Sequence, residues 1–209
     1  MSEEEHMVPN ADHRAALVSS FANAAGIAAG VRSDQLSGPT PCPGYDVSVL
    51  VDHMVGAGWR AVALGKGESP GNAKSPHVEL ADVPGRLRRA GKEAEDAWSD
   101  DARLTATVTM PWGETYPGAT TVDMYLTEMA THAWDLAAAT GQLERLSPEL
   151  APVALEAARA MLKPEHRDAM GPGNPFAAEV PAPAGATAWE RLAAFMGRPP
   201  RAWPPATQP

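Results

Sequence analysis

The chain is poor in several things, and each shortage closes off a class of protein. Among 209 residues there is one cysteine, Cys42, so no internal disulfide can form. That fits a reducing compartment, and the fold has to stand on its core alone. Basic residues are outnumbered, 17 against 26 acidic, for a net charge of −9 and no basic run. Nucleic acid and anionic membrane surfaces are therefore not expected partners. No apolar run reads as long enough for a membrane span. The opening MSEEEHMVPNADHR is acidic and polar, unlike a secretory signal. A cytoplasmic location is the expectation. There is also no internal repeat of fixed period.

What is present is an ordinary globular composition, 44% apolar and 21% charged. The length suits one domain with an appendage and needs no staple to bury a core. Helical spacing recurs along it, so the fold class expected is all-α. Residues 1–9 read as a loose tail and residues 11–31 as a first helix, with Asp12 and His13 at its surface. SGPTPCPGYD, 37–46, is a rigid connector whose Asp46 caps a second helix over 47–65. Residues 79–99 form a third helix, with Pro84 moving its start toward 82. LTATVTMPWGETYP, 104–117, alternates like a short β-hairpin or extended arm. Its Trp112 either covers core or lies over the mouth of a site. Ser147 and Pro148 open a helix to about 163; 164–186 is Pro- and Gly-rich and extended. Thr187 and Glu190 form a capping box for a last short helix ending at Gly197.

The stretch that organises the rest is TTVDMYLTEMATHAWDLAAATG, 120–141. Thr120 can cap it and Gly141 can end it. Glu128, His132 and Asp135 are spaced four and three, so they share one face. His132 lies roughly 40° from Glu128 and roughly 20° from Asp135 around the helix. Beside them runs an apolar arc of Val122, Leu126, Met129, Ala133 and Leu136, while Asp123, Thr127 and Thr131 read as the wet side. A carboxylate and an imidazole four apart can grip a metal from one side. More commonly such a couple is solvated or weakly paired, and a third ligand from another helix separates the two cases. His53 is the candidate. On its helix it shares a face with Leu50, Val49, Ala57 and Leu64, so it points inward and needs a partner. A hydrogen-bonded core histidine and a metal ligand shared with Glu128 and His132 both satisfy it.

Three stretches together resemble a known family. TPCPGYDVSVLVDHMVG, EMATHAWDLAAATG and the closing NPFAAEVPAPAGATAWERLAAFMGRPPRAW are similar to signatures of actinobacterial DinB-like proteins. These are relatives of the mycothiol-dependent maleylpyruvate isomerase N-terminal domain. The resemblance runs from about residue 12 to 204. It implies a DinB/YfiT-like four-helix bundle over 1–165, with residues 166–209 as a C-terminal extension packed on it. It also implies a metal site of His53, Glu128 and His132, with Asp135 as the candidate catalytic residue orienting a ligand from behind.

Three protein ligands leave an open position on a divalent metal, zinc first, with nickel or iron alternatives. An open position suits a low-molecular-weight thiol such as mycothiol, which in the isomerase relatives adds to an electrophilic carbon. The expected function is a metalloenzyme, a transferase or isomerase, acting on a small-molecule electrophile. Residues 164–209 are too few for the additional domain of the full isomerase, so maleylpyruvate itself is not the expected substrate. The alternatives are a non-catalytic metal- or small-molecule-binding bundle and a helical interaction module with a buried polar network. A homodimer is left open as the assembly. Cys42 has no neighbouring base in sequence and is not expected to be a nucleophile.

Overall fold

The structure, a computed structural model, describes residues 11–71, 75–163, 167, 178–201 and 203. The expected loose tail 1–9 and most of the expected extended stretch 164–186 lie outside the described residues. Helix α1 is Arg14–Ala28, α2 Val47–Gly65, α3 Val83–Ala97 and α4 the short Ala102–Thr105. A hairpin follows, β1 Thr107–Thr109 and β2 Thr115–Pro117, antiparallel with Val108 opposite Tyr116. Then come α5 Gly118–Thr140, α6 Leu150–Met161 and α7 Ala188–Phe195. The protein is all-α with one small two-stranded sheet.

Local chemistry explains three of the ends. The Asp46 carboxylate accepts from the Val49 amide at 2.8 Å and starts α2. Thr187 and Glu190 satisfy each other's backbone amides at the start of α7. Gly141, at φ 71°, closes α5 in the left-handed region. Two starts differ from expectation. Helix α5 begins at Gly118, ahead of Thr120, with no side-chain cap. The hairpin sets that start, because the Gly118 amide donates to the Ala106 carbonyl at 2.9 Å. Helix α6 begins at Leu150 rather than at Pro148. The Ser147 carbonyl instead accepts the Trp189 indole N–H at 2.9 Å, tying α7 to the preceding turn.

The bundle is made by α1, α3, α2 and α5 in that order around the ring, each packed on the two beside it. Helix α6 covers α5 and α1, and α7 covers α6 and α5. Helix α5 is thus enclosed on nearly every side, with 18 of its 23 residues buried. Val122, Leu126, Met129, Ala133 and Leu136 are all core, as the apolar arc suggests. Asp123, Thr127 and Thr131 correct the expectation of a wet side: they are buried too. His13, expected at the surface, is likewise buried, and its Nδ1 lies 2.7 Å from Asp123 Oδ1. Helical polarity marks solvent only on a helix that has a solvent face.

Helix α2 brings a second correction. By length and composition Val47–Gly65 is apolar enough to cross a membrane, contrary to the sequence expectation. Yet 61% of that stretch is buried, so its apolar surface faces the bundle core. Trp112 neither covers core nor packs down: it is 54% exposed, and its indole donates to Glu114 at 3.0 Å.

Candidate metal centre

Helices α2 and α5 are neighbours in the ring, and the facing turns carry His53 and the Glu128–His132 pair. Leu50, Ala57 and Leu64 on the His53 face are buried, whereas Val49 is exposed. His53 therefore sits at the edge of the inward face, with its side chain 22% exposed. Its Nε2 lies 2.6 Å from Glu128 Oε1. One turn on, His132 Nε2 is 3.5 Å from the same oxygen. The two imidazoles meet edge to face, ring centres 4.8 Å apart. One donor atom from each of His53, Glu128 and His132 lies within 4.8 Å of the others. Tyr45, brought in by the connector before α2, places its hydroxyl 3.5 Å from His53 Nδ1.

The charges suit a cation. Burial pushes the Glu128 carboxyl up, but His132 and His53 outweigh it and hold it well below the usual carboxylate range. Burial pulls His132 down, while Glu128 and Asp135 push it up to about 9. The metal-free centre thus holds an anionic carboxylate between imidazoles, one of them carrying an extra proton that a metal can displace.

Behind His132 stands Asp135, fully buried, with Oδ2 3.0 Å from His132 Nδ1. An ionised carboxylate only accepts, so Nδ1 carries the hydrogen and Nε2 is the nitrogen left for a metal. Arg198, which follows α7 and is also buried, donates from Nε to Asp135 Oδ1 at 3.2 Å and from Nη2 to Oδ2 at 3.1 Å. Cys42 is half-buried nearby, with His132, Asp135 and the thiol mutually within 4.8 Å.

The donor set fits a metal. Bonds of about 2.0–2.1 Å put tetrahedral ligand atoms about 3.3 Å apart. The observed 2.6 and 3.5 Å separations bracket that spacing. Two neutral imidazole nitrogens and one carboxylate suit zinc and several first-row metals.

Against known proteins, the family model for the mycothiol maleylpyruvate isomerase N-terminal domain matches residues 17–137. The chain belongs to this family. Two uncharacterized proteins of Mycobacterium tuberculosis, one from strain CDC 1551 and one from strain H37Rv, are each 39% identical over 179 residues. The alignment covers 83% of this chain and 91% of each relative. No solved structure matches. The stretch matched to the mycothiol maleylpyruvate isomerase N-terminal domain runs from α1 into α5 and so includes His53, Glu128, His132 and Asp135.

The structure brings all four sequence-derived residues together: His53, Glu128 and His132 face one another and Asp135 backs His132. It adds Tyr45 and Arg198, which sequence reasoning missed, and brings in Cys42, which it had set aside. Tyr45 lay in the connector before α2, and no role was read for it there. Arg198 lay just past the last helix in the closing stretch, and no spacing rule links it to a carboxylate 63 positions away. Cys42, read as lacking a base, has His132 and Asp135 beside it. Burial, aided by Asp135, pushes the thiol up to about 11, which lowers its thiolate share at neutral pH.

Proposed function

We propose that this member of the mycothiol maleylpyruvate isomerase N-terminal domain family is a metal-dependent protein that activates a low-molecular-weight thiol toward a small electrophile. The convergence of His53 Nε2, Glu128 Oε1 and His132 Nε2 on one point carries the reading. His53, Glu128 and His132 would hold a divalent metal, zinc first. When bound, the metal would keep an incoming thiol sulfur as thiolate near neutral pH. Glu128, held as a carboxylate, supplies negative charge to the dication. Asp135 keeps the His132 hydrogen on Nδ1 and so the Nε2 lone pair on the metal side. The Tyr45 hydroxyl lies on the opposite flank, against His53 Nδ1. The thiol is assigned as mycothiol because that is the thiol in the family's name.

The test is a titration of the cobalt-loaded protein with mycothiol. A sulfur-to-cobalt charge-transfer band that saturates at about one thiol per metal supports the reading. Metal uptake without any thiol band turns the protein into a non-catalytic metal binder. Failure to take up any metal leaves His53, Glu128 and His132 as a buried polar network.

A further inference from the structure

His132 has two edges, and the structure surrounds both with groups that can ligate. On the Nε2 edge stand Glu128 and His53. On the Nδ1 edge stand Asp135 and the Cys42 thiol, close enough for a second metal-capable set. A single imidazole cannot serve one metal well while its orientation is undecided between two. What distinguishes the edges is Arg198. Its guanidinium grips both oxygens of Asp135, Nε on Oδ1 at 3.2 Å and Nη2 on Oδ2 at 3.1 Å.

We propose that Arg198 is the positioning residue of this centre: it locks Asp135 onto the His132 Nδ1–H and, as a cation, bars metal from the edge that carries Cys42. The inference rests on the metal reading given above. Four observations support it. A two-point guanidinium fork fixes the plane of a carboxylate, which a lone contact from a histidine three residues away does not. The Oδ2 atom is shared, receiving His132 Nδ1 at 3.0 Å as well as Arg198 Nη2. The guanidinium is itself pinned, because Nη1 donates to the Met196 carbonyl at 2.7 Å. The chain behind it is fixed as well: Gly197 turns at φ 78° and the Arg198 amide donates to the Ala193 carbonyl at 2.8 Å.

Stability alone gives little reason for such a pair. Asp135 is 0% and Arg198 4% exposed, and a buried ion pair is commonly no more stabilising than apolar residues of the same volume. The pair does have a consequence at that edge: the guanidinium neutralises Asp135 and occupies both of the oxygens a second cation would need.

The experiment uses cobalt(II) alone, with no added thiol, on the full chain and on Arg198→Gln. The parent is expected to bind about one cobalt with ligand-field bands and no sulfur-to-cobalt charge transfer. Arg198→Gln is expected to gain that charge-transfer band, and Arg198→Gln combined with Cys42→Ser to lose it again. A band-free Arg198→Gln spectrum identical to the parent's overturns the inference while leaving the metal reading intact. No cobalt binding by the parent overturns both.

Arg198→Lys gives a second reading should the glutamine variant not fold. It keeps a cation but cannot fork over both oxygens. In the zinc-loaded protein, nitrogen NMR of this variant should show no change of ligating atom but exchange of the His132 Nδ1 hydrogen at least about tenfold faster. Backbone amides of α5 serve as the control. Exchange equal to the parent's overturns the positioning role.

Discussion

Two histidine–carboxylate contacts sit on opposite sides of α5, and nearly the same distance separates each pair. His13 Nδ1 is 2.7 Å from Asp123, and His53 Nε2 is 2.6 Å from Glu128. Everything else about them differs. The first pair is closed, with side chains 8% and 2% exposed, wedged where α1 meets α5. The second is 22% and 27% exposed, and another imidazole approaches the same oxygen. Among the described residues, the clusters of three metal-capable donors both include His132, and neither includes His13. A short contact between an imidazole and a carboxylate therefore says little about function. Convergence of a further donor and partial access from outside are what mark a site.

The sharpest way to break this comparison is to delete one histidine from each side. His132→Ala should reduce bound zinc from about one per chain to none by elemental analysis, while His13→Ala keeps it. Equal loss from both would erase the distinction. The same two variants should reverse their order in stability. His13→Ala breaks the buried 2.7 Å pair with Asp123 and should cost roughly 3–5 kcal/mol in urea unfolding. Metal-free His132→Ala should cost less, about 1–3 kcal/mol, because Asp135 retains its Arg198 partner.

Next in size is the thiol. With Cys42 pushed up to about 11, alkylation by iodoacetamide at pH 8 should be on the order of a hundredfold slower than for a free cysteine. A rate equal to that of free cysteine would mean that this edge of the centre is open and charged quite differently.

The smallest effect is a proton count. In the metal-free protein His132 stands at about 9 folded, against about 6.5 in an unfolded chain. A raised value stabilises fully below about pH 6.5, and that stabilisation is lost as pH rises through about 9. Zinc binding runs the other way: at pH 7.5 uptake should expel about one proton, and affinity should climb until about pH 9. Calorimetry in buffers of different ionisation enthalpy reads the count. Zero protons released would place His132 outside the metal's ligands.

Legible in the sequence were features written within a few residues of where they act, and residues that an apolar face singled out. The α2 cap at Asp46, the α7 capping box and the Gly141 stop are written within four residues of where they act, and each was read correctly. Glu128 and His132 are one turn apart, so their shared face followed from spacing, and His53 stood out as a titratable residue on an apolar face. Arg198 and the His13–Asp123 pair were not legible: their contacts cross 63 and 110 positions, and no local pattern singled these residues out as His53's apolar face did. The burial of Asp123, Thr127 and Thr131 was misread for a different reason. A helix with packed neighbours on nearly every side hides polar residues too, provided that some of them find partners.

One small feature at the start of α5 carries a mechanical consequence. A Cβ on Gly118 would overlap the carbonyl oxygen of Arg103. The short helix α4 and the first turn of α5 are thus fitted as tightly as two parts of a joint. An α-helix is stiff and rises about 1.5 Å per residue, so Glu128 lies about 15 Å along the same rod. A side chain at position 118 has to displace α4 or α5, and any tilt or slide of α5 is delivered to Glu128 and His132. Misalignment of the centre can therefore originate from a position that touches none of its residues.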